Sequence, residues 1–204
     1  MKFIKAKIAI LAIVSCAGGP LLAGESLPVR NCTWCHGPSA QGFFSAPRLA
    51  GQRELYIETQ LLNFRSHIRD DPNAQSYMWP AVAHLDPEMA RDFAAYFSSL
   101  PPKPADDGQK QLVAAGAKIF EYGIPSANVV QCVACHGPQG QGVRQIPRLG
   151  GLSYYYLRRR LQEWREGFHA SPGPMPQVVA TLTPYDIDAL ASYLSYVNYG
   201  TFER

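Results

Sequence analysis

Apolar residues in this chain recur at the three- and four-residue spacings of a helix. Between Arg53 and His67 the spacing of Leu55, Ile57, Leu61, Leu62 and Phe64 predicts one helix, and Leu157, Leu161 and Trp164 predict another between Tyr154 and Gly167. Asp86-Pro87-Glu88 and Thr183-Pro184-Tyr185-Asp186 each read as an N-cap followed by proline at the first helical position. The helices they open are expected to end near Ser99 and Val197, carrying Phe93, Tyr96 and Phe97 in one and Leu190, Tyr193 and Leu194 in the other. A further helix is predicted from Gln109 to Tyr122, with Leu112, Val113, Ile119 and Phe120 on its apolar side. No stretch alternates strictly enough for a sheet, so the predicted fold is all-α.

The predicted helices come in pairs because the chain repeats itself. A shift of 100 lays Cys32-Thr33-Trp34-Cys35-His36-Gly37-Pro38 over Cys132-Val133-Ala134-Cys135-His136-Gly137-Pro138, and Pro47-Arg48-Leu49 over Pro147-Arg148-Leu149. It also pairs Tyr56 with Tyr156 and Arg65 with Arg165. After a three-residue deletion the shift becomes 97, pairing Met78 with Met175, Pro87 with Pro184 and Tyr96 with Tyr193. Two copies of one domain are therefore expected, at 25–100 and 108–204. Residues 101–107, Pro101-Pro102-Lys103-Pro104-Ala105-Asp106-Asp107, form a proline-stiffened linker between them.

Composition narrows the class further. At 47% hydrophobic and 17% charged, the 204 residues exclude collagen, coiled coil and a charge-rich disordered chain. The formal net charge of +3 is matched by Lys2, Lys5 and Lys7 alone, and neither copy has a dense basic stripe, which disfavours nucleic acid as a partner. Those lysines precede an uncharged stretch from Ile8 to Gly24, the pattern of an export signal in residues 1–24. Three fates stay open: cleavage near Ala23, lipidation of Cys16 within the lipobox-like Ile13-Val14-Ser15-Cys16, or retention as a membrane anchor.

Four of the five cysteines fall in C-x-x-C-H runs, the attachment signature of c-type haem. On one helical turn, cysteines three apart reach two vinyl groups while the following histidine points at the iron. A zinc ribbon would place its two cysteine pairs about 15 to 20 residues apart, whereas here a whole domain separates them. A redox dithiol would call for a βαβ context, and none is predicted. The sixth iron position then needs a donor. Met78 and Met175 stand at matching places before the last helix of each copy, so they are the expected axial partners of His36 and His136. Met89 has only Asp186 as its counterpart and reads as a core residue. His67, His84 and His169 have no histidine partner in the repeat and read as surface or packing residues.

These motifs, with the paired P-R-L-x-G segments, resemble a tandem class I cytochrome c of the cytochrome c4 family over residues 25 to 200. The resemblance implies two covalently bound haem c groups, held by Cys32 and Cys35 and by Cys132 and Cys135. It also implies axial pairs His36 with Met78 and His136 with Met175, and carbonyls of Pro47 and Pro147 that accept a hydrogen bond from each axial histidine. Arg48 and Arg148 are candidates for pairing with haem propionates, with an exposed arginine as the alternative. Tyr56 and Tyr156 are candidates to line the haem or bond a propionate, with an ordinary core tyrosine as the alternative. Similar proteins pack their two domains about a pseudo-twofold axis with the propionate edges facing. One departure stands out: copy one has only Glu25 to Asn31 before Cys32, where Pro28 disfavours a long helix.

Two closed haems with no evident general acid or base point to electron transfer rather than catalysis. The resemblance implies a periplasmic carrier between a cytochrome bc complex and a terminal haem-copper oxidase. The alternative is the electron-accepting subunit of a dehydrogenase, such as a flavocytochrome that oxidises sulfide. A dihaem peroxidase or thiosulfate dehydrogenase is the enzymatic alternative; the former needs a vacant distal side and the latter a cysteine ligand, and no cysteine follows Cys135. Arg158-Arg159-Arg160, with Arg144, is either a steering patch for an acidic partner or a solvated helix face.

Overall fold

The computed structural model describes residues 27–43, 46–168 and 173–198; Cys16, the rest of the leader and His169 lie outside them. Among the described residues there are helices and three isolated β-bridges, and no longer strand. The first half contains α1 (Leu27–His36), α2 (Glu54–Arg65), a π turn (Ala74–Met78) running into α3 (Trp79–Val82), and α4 (Pro87–Ser99). The second contains a 3₁₀ turn (Lys110–Leu112) leading into α5 (Val113–Tyr122), then a 3₁₀ turn (Pro125–Ala127), α6 (Val133–His136), α7 (Tyr154–Arg165), α8 (Met175–Val179) and α9 (Pro184–Tyr196). Helix α7 is α2 displaced by 100 residues and α9 is α4 displaced by 97, so the sequence repeat is a structural one.

The predicted caps close as expected. The Asp86 carboxylate accepts from Met89 N at 2.8 Å, and Thr183 and Asp186 form a reciprocal capping box. Each half buries its own apolar cluster. Ile57, Phe64, Val82, Phe93 and Phe97 centre the first, and Phe120, Leu157, Leu161, Ile187 and Leu194 the second. In the second half α5 lies across α9 so closely that a Cβ on Gly116 would sit 2.0 Å from the Ala189 carbonyl oxygen. Only glycine fits that crossing. In the first half Asp92 stands where Ala189 stands in the second, and the α4 face is exposed there. Pro28 does not prevent α1 from forming, because proline is tolerated in a first helical turn.

The linker is strapped to both halves. Gln41 Nε2 donates to the Pro101 carbonyl at 2.9 Å and Gln41 Oε1 accepts from Lys103 N at 3.1 Å. Asp107 then accepts from Ser153 Oγ at 2.7 Å and from Tyr154 N at 2.8 Å, satisfying the free amide at the start of α7. No helix of the described residues is long and apolar enough to cross a membrane.

Gly116→Ala tests the α5–α9 crossing. Forcing a methyl against the Ala189 carbonyl should cost about 1–3 kcal/mol, outweighing the roughly 1 kcal/mol gained from better helix propensity. The expected result is a lower urea midpoint for the second half, followed by circular dichroism, with the first half unchanged.

Candidate haem sites

Both C-x-x-C-H turns end in the same way. The helix stops at His36 or His136, and Gly37 (φ 82°) or Gly137 (φ 79°) reverses the chain in a left-handed conformation that glycine adopts without strain. The histidine carbonyl then accepts from Gly42 N at 2.8 Å or Gly142 N at 2.7 Å. This hairpin carries Pro47 and Pro147 back over the imidazoles. His36 Nδ1 donates to the Pro47 carbonyl at 2.8 Å, and His136 Nδ1 to the Pro147 carbonyl at 3.0 Å. Proline has no N–H of its own to compete and its φ is fixed, so the carbonyl is held in place.

Burial lowers the pKa of both imidazoles, against the opposing pull of the prolyl carbonyls, so each ring is neutral near pH 7. A neutral ring that donates through Nδ1 keeps its lone pair on Nε2, the state required of a metal ligand. Burial also pushes the Cys32 and Cys132 thiols up to about 11. A redox C-x-x-C pair works through a lowered thiol pKa, so these thiols do not fit a dithiol oxidoreductase. Among the described residues no three His, Cys, Asp or Glu side chains converge as metal ligands. Cys32 and Met78 pack against the first apolar cluster, and Cys132 and Met175 against the second, so each half gathers the thiol and thioether predicted for it. Cys35 and Cys135 lie exposed.

The two arginines after the prolines part company. Arg48 contacts Gln41 Oε1 at 3.3 Å, while its buried Nε has no hydrogen-bond partner among the described residues. An orphaned guanidinium N–H beside the histidine turn is what a propionate carboxylate would satisfy, so this half fits the group on an observation of its own. Arg148 is fully buried and spends its guanidinium on backbone carbonyls, Ala50 at 2.9 Å, Gly51 at 3.2 Å, and Gly150. Two of these belong to the first half. Gln52 completes the join, accepting from Arg148 N at 2.7 Å and donating to the Arg148 carbonyl at 2.9 Å. Arg53 reaches the Gly142 carbonyl at 2.9 Å.

A second buried cluster ties the halves together. The Asp71 carboxylate accepts from Arg69 at 2.9 Å and from Arg160 of the second half at 3.1 Å; Arg160 also pairs with Glu163. Tyr56 and Tyr156 lie beside it, and burial together with the neighbouring Tyr156 pushes the Tyr56 phenol up to about 12. Among Arg158, Arg159 and Arg160, none is an unpaired surface cation. Arg158 binds Asp188 at 2.7 Å, Arg159 lies 3.3 Å from Glu163, and Arg160 is buried. The run is thus not one continuous surface patch, because Arg160 is internal while Arg158 is partly exposed and Arg144 exposed. His67 stacks on Trp79 at 3.9 Å and His84 is exposed, as ordinary surface or packing residues.

Sequence reasoning missed this interface, although a signal existed. Several of its members sit where the two copies differ: Gln52 opposite Leu152, Arg53 opposite Ser153, Asp71 opposite Ser171 and Arg160 opposite Gln60.

Residues 21–101 and 113–198 each match the family described as Cytochrome c. The chain is 34% identical over 168 residues to cytochrome c-552 of Acidithiobacillus ferridurans, covering 81% of this chain and 73% of that one. It is 35% identical over 181 residues to a thiosulfate dehydrogenase electron acceptor of Stutzerimonas stutzeri, covering 85% and 82%. The solved cytochrome c4 of Acidithiobacillus ferrooxidans superposes with a TM-score of 0.77 at 33% identity, over 81% of this chain and 98% of that one.

Asp71→Asn should destabilise the protein by about 3–5 kcal/mol, since it leaves the buried Arg69 guanidinium facing no charge and takes from Arg160 one of its two carboxylates. Burial alone would raise the Asp71 pKa; Arg69, Arg160 and the Arg69 and Ala74 hydrogen bonds together outweigh it and hold the carboxyl below its ordinary 3.8. Its contribution is therefore complete above the unfolded value and lost as pH falls through the depressed folded one. Urea titrations below about pH 4 should show wild type losing stability that the Asn variant never had.

Proposed function

We propose, for a chain that belongs to the cytochrome c family and within it to the two-domain cytochrome c4 group, an assignment of each haem ligand and of the route the electrons take. The chain is a dihaem electron carrier with two covalently bound haem c groups, not an enzyme. The haems supply a reversible one-electron change at iron. The polypeptide does the rest, in domains spanning 25–100 and 108–204 joined by residues 101–107.

In each domain the two cysteines, Cys32 with Cys35 and Cys132 with Cys135, hold the porphyrin, and Nε2 of His36 or His136 faces the iron. Met78 and Met175 would supply a thioether donor in each half, which favours the reduced state of the bound haem. The observation that carries this reading is the twice-built imidazole-to-prolyl bond, which leaves one nitrogen free on each histidine. Arg48 neutralises a propionate of the first haem, while Arg148 serves the join between domains. Tyr56 and Tyr156 act at that join as well. The Arg148, Gln52, Asp71 and Arg160 contacts keep the domains in one mutual arrangement, so electrons pass between fixed centres.

The carrier works in the periplasm, taking electrons from a quinol-oxidising cytochrome bc complex and giving them to a haem-copper oxidase. A second reading has support from the relative named a thiosulfate dehydrogenase electron acceptor: this chain accepts electrons from a periplasmic dehydrogenase. Stopped-flow reduction by each candidate donor separates the two. The first reading expects faster reduction by the bc complex than by thiosulfate dehydrogenase, and the reverse order overturns it.

Met78→Ala and Met175→Ala should each let one haem of the pair bind carbon monoxide, read as a half-amplitude shift in the reduced spectrum. A variant spectrum unmoved by carbon monoxide would contradict that ligand assignment. Arg48→Gln should lower the potential of the first haem alone, because losing a cation beside a propionate favours oxidised iron. Arg148→Gln should chiefly loosen the domain join, detected as faster proteolysis within 101–107.

A further inference from the structure

The stretch that leads to the methionine is built differently in the two halves. Counted from the last residue of α2 or α7, Arg65 or Arg165, to Met78 or Met175, the first half is three residues longer. It places Met78 at the end of the π turn Ala74–Met78, whereas Met175 opens α8 after Pro174, which has no side-chain acceptor to cap it. A π turn is rare in protein chains, so one that ends on a candidate ligand calls for support at both ends.

Both supports are present. At the entry, Asp71 Oδ1 accepts from Ala74 N at 3.2 Å. At the exit, Trp79 Nε1 donates to the Arg69 carbonyl at 2.8 Å, and its ring stacks on His67 at 3.9 Å. Arg69 connects the two ends, because its Nε donates to Asp71 Oδ2 at 2.9 Å. Residues 69–79 thus form a loop pinned to itself, with Met78 beside the Trp79 pin. The other contact to Asp71 Oδ2 comes from outside the domain, from Arg160 of the second half at 3.1 Å. The carboxylate is divided: one oxygen serves two guanidinia and the other serves the turn. With the Asp71 and Arg160 side chains 1% and 5% exposed, water is not at hand to replace the contact between them. Ser171 and Pro176 stand opposite Asp71 and Trp79 in the repeat, and Gln60 stands opposite Arg160, so the same residues do not recur around Met175.

We propose that Asp71 positions Met78 and that Arg160 holds Asp71 in that role, so that docking of the second domain fixes the thioether donor of the first haem. Arg160 is a positioning residue, acting through the Asp71 carboxylate and the Ala74 amide. Met175 has no matching dependence on the first domain. This rests on the reading of Met78 as a haem ligand, and deepens it by naming what sets its place.

Imidazole, which competes with a thioether for oxidised haem iron, measures the hold on each methionine. The test uses full-length oxidised holoprotein and follows loss of the methionine-to-iron charge-transfer band, with Met175→Ala as the background that reports Met78 and Met78→Ala as the one that reports Met175. In the first background Arg160→Gln should lower the imidazole needed for half displacement about tenfold, the lower end of what one hydrogen bond to a charged group contributes. In the second background it should change nothing. Arg160→Lys keeps the charge and should restore most of the lost hold. Trp79→Phe keeps the stack, loses the indole N–H and should lower the Met78 value about threefold, in line with one neutral hydrogen bond. Arg53→Gln removes the contact to the Gly142 carbonyl across the join and should leave both values in place, so that loosening of the join is told apart from release of the turn. A Met78 value unmoved by Arg160→Gln overturns the inference, as does an equal shift in both backgrounds or an equal shift in Arg53→Gln. If Arg160→Gln retains no haem, a Met78 value unmoved by Trp79→Phe overturns it instead. Absence of any methionine band from Met175→Ala would mean that Met78 is not a ligand, which defeats the ligand reading itself, whereas a band that Arg160→Gln leaves unmoved defeats this inference alone.

Discussion

One hydrogen bond, made twice, sets the orientation on which everything else in this protein depends. Nδ1 of His36 and of His136 donates to a prolyl carbonyl eleven residues further on. A ring free to turn would present either nitrogen, and a charged one would present neither as a ligand. The prolyl carbonyl settles the tautomer, and burial settles the charge. The glycine after each histidine exists to bring that carbonyl into place: with a left-handed φ it folds the chain back at once, and the hairpin closes on the histidine's own carbonyl.

Duplication supplies two such units, and divergence joins them. The copies differ at several of the positions where they touch, among them Gln52, Asp71 and Arg160. Arg148 and Arg160 come from the second half, and the carbonyls of Ala50 and Gly51, the Gln52 amide and the Asp71 carboxylate from the first. The join is polar and buried, so its geometry is strict: each guanidinium must find its acceptors or lose more than it gains. Arg48, the counterpart of Arg148, instead contacts Gln41 within its own half.

The helices were legible because their signals are local. The stripe from Arg53 to His67 becomes α2, the Asp86 and Thr183 caps open α4 and α9, and the segment from Gln109 to Tyr122 becomes a 3₁₀ turn and α5. The anchoring residues were legible because two cysteines and a histidine at fixed spacing leave little other use. The buried roles of Arg148 and Arg160 were not legible, since their partners lie nearly a hundred residues away or in the other domain. No spacing rule announces that an arginine in a run of three is internal. The π turn ending at Met78 was also hidden, because an extra residue in a helical turn carries no compositional mark. Gly116 is a halfway case: it counts against a helix by propensity, and only the crossing with Ala189 explains it.

The central claim is that both turns of the repeat hold a haem through paired thioether bonds. Intact-mass spectrometry of the purified protein under denaturing conditions, followed by peptide mapping, tests it most directly. The account predicts two haem masses per chain that survive denaturation, one on the peptide with Cys32 and Cys35 and one on the peptide with Cys132 and Cys135. A single haem per chain, or haem that dissociates on unfolding, would contradict it.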